Sequence, residues 1–594
     1  MFRDTWRTMN YHLSTISLRK VIAPDGSAMR MATALGVPGH ILSRCISFAQ
    51  QQLENCEQNP HHNCKPRGSV GAQGWPSRIL SISDDTVSLV AFDASGMKDR
   101  YTALSYCWGD TAELQERPNL KTTSTTLASM EAGFATSDLP LTLRQAVLVC
   151  RCLDIKYIWI DSLCIIQDDP SDWETEAAKM ETVYSMSTFT IIAAASTSSH
   201  SGLFPTLLDK HSPQLLEPNC SLTTSINLYM AALDGSHHEG FHWYPPLDPI
   251  DQRGWTYQEE YLSTHHLKFT AADVQWRCSA GAICLCSGRF PAHAYKLEWD
   301  LKDWDLAVQN VSRRKFTNVT DKLPAISGLA ARFAAEKSQQ DKPATYIAGC
   351  WEDDIQSLRA LEWHRDLDNT GLCELAPESY IAPSFVWASV NGPILFQRAN
   401  NPWKARKPLA KVLEVEVQVV APKMNPFGHV SGGALTLQAP TVRWALGTRL
   451  YDNRSIAARL VPKIKDMGWE LGAGWCLCYL DCEVAECTSS TGERSLHRCP
   501  GPACRLASDP RTKHRSRIDL QSSNGDSWAE VDVVLLTTQT FDPQSRVAIA
   551  CLVLGHGDPE SHVYQRIAFG QYHVVGLGPT TEQLDPLMKV VTIQ

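Results

Sequence analysis

The stretch Tyr157–Asp169 reads YIWIDSLCIIQDD, an apolar strand pattern that breaks at Asp161 and places a thiol, Cys164, three residues on. A buried strand calls for neither residue. A thiol just past a strand end and near a helix N-terminus sits where thiol pKa values fall, so Cys164 could serve as a nucleophile, with Asp161 orienting a histidine or a substrate. His200, His237, His238, His242, His265 and His266 are all distant in sequence. The structural alternative makes Asp161 a turn acceptor and Cys164 a small packing residue, since free cysteine is usually buried. Two cysteine-rich stretches raise metal chemistry: CEQNPHHNC, with Cys56, His61, His62 and Cys64, and CLCYLDCEVAEC, with Cys476, Cys478, Cys482 and Cys487, followed by Cys499 and Cys504. Neither has the paired C-x-x-C spacing of zinc sites, so no metal is assigned, and the 20 cysteines are read mainly as reduced core thiols.

Strands and helices must position these groups. YTALSYCWGD predicts a strand over Thr102–Tyr106, closed by Gly109-Asp110, and LPLTLRQAVLVCRCLD spaces Leu143, Ala146, Val147, Cys150 and Leu153 as one helix face. YIWID is a second strand, and the next helix opens on a capping box formed by Ser171 and Glu174. FTIIAAAS is the third strand. Alternating strands and helices of this length predict an α/β fold with an open, mostly parallel sheet, whose ligands bind beyond the carboxyl ends of the strands. Tyr106, Cys107 and Trp108 fall at that end of the first strand, and Asp161, Ser162 and Cys164 at that end of the second.

A chain of 594 residues exceeds one hydrophobic core, and two or three domains are expected. The reading divides it into an N-terminal preface with a hairpin (1–98, turning at Asp84-Asp85), an α/β domain (99–290), a helical segment (291–382) and a β-rich domain (383–594). A second hairpin is expected with Leu267–Phe269 against Val274–Trp276. Lys and Arg number 55 against 64 Asp and Glu, a net charge of −9 without a basic run, which argues against a nucleic-acid partner. No apolar run approaches the roughly 18–20 residues that span a bilayer, and the start lacks a signal-type apolar segment. The expectation is a soluble, cytoplasmic protein without a membrane partner.

Taken together, YTALSYCWGD, LPLTLRQAV, YIWIDSLCIIQDDPSDWETEAAKMETVYSMSTFTIIAA and RGWTYQEEYLS resemble the fungal heterokaryon-incompatibility (HET) domain, and DKLPAISGLA, YIAGCWEDD and APSFVWASVNGPI resemble segments that follow it in stand-alone members. The resemblance covers roughly residues 45–395. Cys107 fills a variable place, Ile166 stands where an acid is frequent, and Glu260 where an arginine is usual. The resemblance implies a fold related to Toll/interleukin-receptor domains and a role in non-self recognition and programmed cell death, with a protein partner in recognition. It also implies a small-molecule or nucleotide ligand, with NAD as the substrate class, because related enzymes cleave NAD with a glutamate. Glu259 suits that role, since a carboxylate stabilises the oxocarbenium charge of N-glycosidic cleavage or activates water. Tyr106, Trp108, Trp255 and Gln258 are then the ligand-binding candidates, the tryptophans by stacking on a planar base. The plainer reading makes Glu259 a helix N-terminal acid among core tryptophans. On the enzymatic view, Cys107, Cys164 and Glu259 share one pocket at the carboxyl end of the sheet. Two other classes stay open: an enzyme of specialised metabolism acting through Cys164 and Asp161, and a non-enzymatic interaction module.

Overall fold

The computed structural model describes residues 26–58, 64, 74–93, 101–204, 214–215, 229–230, 248–271, 273–285, 304–338, 344–366, 380–396, 406–451, 455–461, 477–480, 484–488, 494–498, 528–542, 546–556, 563–575 and 581–594. The chain divides into two compact units: 1–251 with 259–300, and 252–258 with 301–594.

The first unit opens with helices α1 (Gly26–Ala34) and α2 (Gly39–Gln58). A hairpin follows, β1 (Arg78–Ile82) and β2 (Thr86–Ala91), which turns at Asp84-Asp85 and pairs Ile82 with Val87, as the alternating pattern predicted. It is not a separate preface, because β1 also pairs with a central strand of the α/β sheet. That sheet continues with β3 (Tyr101–Ser105) and the short edge strand β4 (Phe134–Ala135), between which lie α3 (Thr111–Glu116) and α4 (Leu127–Ala132). Helix α5 (Leu141–Cys152) leads to β5 (Tyr157–Ile160), a one-turn α6 (Asp161–Cys164), α7 (Pro170–Ala178), α8 (Met180–Ser185) and β6 (Phe189–Ile192). A two-residue ribbon, β7 (Gln214–Leu215) with β8 (Tyr229–Met230), stands apart. Helix α9 (Thr256–Leu262) spans the division between the units and precedes β9 (His266–Phe269), β10 (Val274–Cys278) and β11 (Gly281–Cys284).

The strand order is β11-β10-β9-β6-β3-β5-β1-β2-β4. Only the central pairings β9–β6, β6–β3 and β3–β5 are parallel, and hairpins extend both edges antiparallel. The sheet is therefore mixed, a correction to the mostly parallel expectation. Helices cover the faces of the parallel core, so β3 and β6 are buried along their whole length and carry continuous apolar runs. The hairpins lie outside the strand–helix alternation on which that expectation rested. Helix α7 also starts differently: Asp169, not Ser171, caps it, accepting from Ser171 and Asp172 N–H at 2.9 and 3.3 Å with Pro170 at the first turn.

In the second unit, helices Trp304–Ser312 and Pro324–Ser338 precede a β-rich region. Gly349, with φ of 95°, gives its carbonyl to the indoles of Trp304 and Trp387, both at 2.9 Å; a Cβ there would lie 2.6 Å from the Trp387 indole nitrogen. Beyond residue 406, the 22-residue strand Val430–Tyr451 organises a closed, barrel-like sheet. The ring runs from it through Ser455–Val461, Leu477–Leu480, Val563–Val575, Arg546–His556 and Trp528–Asp542, and returns where Thr441 pairs with Val534. Lys411–Val419 and Met588–Ile593 pair with the same long strand. No helix among the described residues is long and apolar enough to cross a membrane.

Candidate functional site at the carboxyl edge of the parallel core

β3 and β5 are parallel neighbours, so the residues just past each strand fall side by side. The Tyr106 hydroxyl donates to Ser162 Oγ at 2.9 Å, and the Trp108 indole N–H donates to Asp161 Oδ2 at 2.9 Å. Asp161 Oδ1 takes the Ser162 N–H at 2.7 Å, while the Asp161 carbonyl accepts the Gln167 amide at 3.0 Å. The polar break in the opening stretch is thus a helical turn that ties two strand ends together. Tyr106 is fully buried.

Cys164 closes that turn. Its sulfur accepts the Ile160 N–H at 3.5 Å, and its carbonyl accepts Arg78 Nε at 2.9 Å. The side chain is 0% exposed, and burial pushes the thiol up to about 12 from 9.0. This corrects the expected lowering: the low dielectric disfavours the thiolate more strongly than the local N–H favours it. Because the folded value is raised, this stabilisation is present below pH 9 and is lost as pH rises toward 12. A maleimide at pH 8 should leave Cys164 unmodified in native protein and modify it in urea, as read by peptide mass spectrometry; native labelling would contradict the burial.

Across from this pair, the segment after β6 wraps the same edge. Ser199 N–H donates to the Trp108 carbonyl at 3.4 Å, and the Ser198 hydroxyl donates to Glu113 Oε1 at 2.5 Å. Gly109 sits between them with φ of 116°, where a Cβ would lie 3.2 Å from both Glu113 and Ser198. Ser105 Oγ, Ser199 Oγ and His200 Nε2 are buried here without a hydrogen-bond partner. Cys107 packs with Ile192, Ala194 and Ile250, an apolar floor under this edge. Sequence reasoning missed Glu113 and Ser198; the signal was present in the Ser/Thr-rich run STSSHS following a strand end.

The remaining candidates divide between the units. Trp255 donates to Asp321 Oδ2 at 3.1 Å, and Gln258 accepts the Gly328 N–H at 3.1 Å, so both engage helical turns of the second unit. Tyr106 and Trp108 belong to the first. Glu259, 4% exposed, lies in α9, and its carbonyl accepts the Ser263 hydroxyl that also meets Thr190 of β6. Glu260, at the place where an arginine was expected, faces Lys268 at 3.2 Å and Arg277 at 3.9 Å, and so serves as the anion of a basic cluster. His237, His238 and His242 lie outside the described residues, as do His61, His62, Cys476, Cys482, Cys499 and Cys504.

The heterokaryon incompatibility protein (HET) family model matches residues 101–259, from the first residue of β3 to Glu259. The chain carries a HET domain. The match contains the three βα strands, the Trp108–Asp161 pair and the serine segment, whereas β1, β2 and β9–β11 complete the same sheet from outside it. No curated protein and no solved structure matches the chain.

Asp161→Asn tests the role of the edge pair. An amide can keep one acceptor for the Ser162 N–H but turns a donor toward the Trp108 indole, or the reverse, leaving one group unsatisfied. A loss of about 1–3 kcal/mol in urea unfolding is expected. Unchanged stability with lost ligand turnover would instead make Asp161 a reacting group.

Proposed function

We propose that this HET-domain chain is an incompatibility effector whose α/β unit binds a nucleotide-class ligand at the carboxyl edge of the parallel core and cleaves its N-glycosidic bond, NAD being the substrate class. The observation that carries it is the set of buried polar atoms without hydrogen-bond partners, Ser105 Oγ, Ser199 Oγ and His200 Nε2, at the edge where open α/β sheets take ligands. The bonded Trp108 indole and Asp161 carboxylate, which follow the adjacent strand ends β3 and β5, offer a stacking surface and an acceptor. Glu259, held nearly out of water, is assigned the carboxylate role, since cation-like charge is stabilised most strongly in a low dielectric. The kinship with Toll/interleukin-receptor domains and the fungal cell-death role belong to the same reading, and the parallel β9-β6-β3-β5 core supports the former. Incubating the purified full chain with NAD and following nicotinamide release by mass spectrometry is the direct test.

The specialised-metabolism reading loses its nucleophile with the buried, raised Cys164 thiol. An interaction module gains support from the bonded state of Tyr106, Asp161, Trp255 and Gln258. Absence of NAD turnover and of any ligand-induced stabilisation would favour that module.

A further inference from the structure

Helix α2 ends with Cys56 in its last turn, and Cys64 follows eight residues on. Their sulfurs lie within 4.8 Å of each other and of a ring nitrogen of His265, which immediately precedes β9. The β9–β10 register sets Arg277 opposite His266, so Cys278, the last residue of β10, falls beside His265. The Cys278 thiol lies near enough to Cys56 and Cys64 to perturb both. One helix end, one loop residue and one hairpin thus converge three thiols and an imidazole within a single compact unit.

The imidazole is already oriented. A carbonyl can only accept, so the 2.9 Å contact of His265 Nδ1 with the Thr188 carbonyl makes Nδ1 the protonated nitrogen. The lone pair is left on Nε2, a buried atom of the same cluster. Stacking on Trp276, with centroids 5.6 Å apart, fixes the ring plane. An N–H donated to a backbone carbonyl is the usual support of a metal-ligating histidine, because it sets the tautomer and raises ligand basicity. Polar groups also meet the sulfurs: Ala280 N–H donates to Cys278 Sγ at 3.4 Å, and the Ser279 hydroxyl lies 3.2 Å from Cys64 Sγ.

We propose that Cys56, Cys64, Cys278 and His265 form a closed Cys3His site for a structural zinc ion. Three thiolates and a neutral imidazole are a donor set that suits zinc, and metal bonds about 2.0–2.3 Å long put tetrahedral ligand atoms roughly 3.5–3.8 Å apart. The spacing of Cys56, Cys64 and His265 within 4.8 Å needs only a small contraction, and Cys278, beside His265 by the hairpin register, moves in to complete the set. Binding forms three Zn–S bonds and one Zn–N bond and releases the three thiol protons to solvent, with no change of oxidation state. The ion staples the end of α2 to the β9–β10 hairpin, both of which lie outside the HET match. The absence of C-x-x-C spacing hid the site in the sequence, because two of its ligands arrive from the far edge of the sheet.

The full chain, expressed without a metal-binding tag and purified without chelator, is analysed by elemental mass spectrometry. About one zinc per chain is expected, with proton release on reloading, and cobalt replacement should give tetrahedral visible bands and a thiolate charge-transfer band. Cys278→Ser and His265→Gln should each lose most of the metal, whereas Cys150→Ala, a buried thiol of α5, should retain it. Should the ligand variants fail to fold, wild-type protein answers alone: a strong chelator should lower Tm, and zinc but not magnesium should restore it. A metal-free chain whose Tm ignores chelator and zinc would overturn the site, as would a disulfide between two of the three cysteines in unreduced protein. Neither result bears on NAD turnover, so this site and the proposed function stand or fall separately.

Discussion

Glu259→Gln is expected to abolish the proposed NAD turnover and to leave the fold in place. Glutamine keeps the shape and some hydrogen bonding of glutamate but cannot carry negative charge. Cleavage of the nicotinamide bond spreads positive charge onto the ribose, and on the proposed mechanism the carboxylate acts on that charge rather than on the ground-state ligand. For a residue 4% exposed, screening by water is weak, and a loss of about a hundred- to a thousandfold in kcat is the scale set by removal of one preorganised electrostatic group. KM should move little, because ground-state contacts are kept. Cys164→Ala should retain turnover, since its thiol is buried and protonated at neutral pH. Full activity in Glu259→Gln would remove the carboxylate mechanism.

The largest stability effect is expected at Glu176. Its carboxylate is 0% exposed in α7, takes the Ser77 N–H at 3.2 Å and holds Lys179 Nζ at 2.8 Å, while Lys179 also donates to Ser77 at 2.7 Å. Arg78 extends the link through Asp172 at 2.5 Å. The network fastens the first hairpin strand to α7. Glu176→Gln leaves the largely buried ammonium without its counter-charge, and about 3–5 kcal/mol should be lost, read as a fall in the urea midpoint at unchanged m value. Replacing both Glu176 and Lys179 by methionine should cost less than Glu176→Gln alone, because no unpaired charge remains. A single-variant loss under 1 kcal/mol would show that water reaches the lysine.

The parallel core was legible in the sequence because its physics is local. The runs TALSY, YIWI and FTII are apolar on both faces, and α5 between the first two has a clear helical stripe, so strand–helix–strand order fixes three adjacent strands. Both hairpins were legible too, one through its Asp84-Asp85 turn. Their attachment to the same sheet was not, because alternation reveals a strand but not its partner. Asp161 illustrates the limit at the site: its position at a strand end could be read, but whether its oxygens face a ligand or the Trp108 indole depends on a residue in another strand. Cys164 shows the same limit, since the turn that makes it a strand-end thiol also folds it inward. Glu113 and Ser198, 85 positions apart, meet only through the sheet.

The closed ring of the second unit carries a consequence for biosynthesis. Strand Val430–Tyr451 pairs Leu435 with Ile593 and Val442 with Val533, so its hydrogen-bonding edge cannot be satisfied until segments made much later have left the ribosome. During that interval a long stretch with apolar side chains, Leu435, Leu437, Val442 and Trp444, stands as an open template for any passing strand. The α/β sheet faces no such delay, since its last strand ends at Cys284 and both of its outermost strands, Phe134–Ala135 and Gly281–Cys284, are too short to recruit another chain. Nascent chains should therefore acquire the first unit during translation and depend on holding chaperones for the second, so that aggregation on expression is expected to start at the ring rather than at the HET domain.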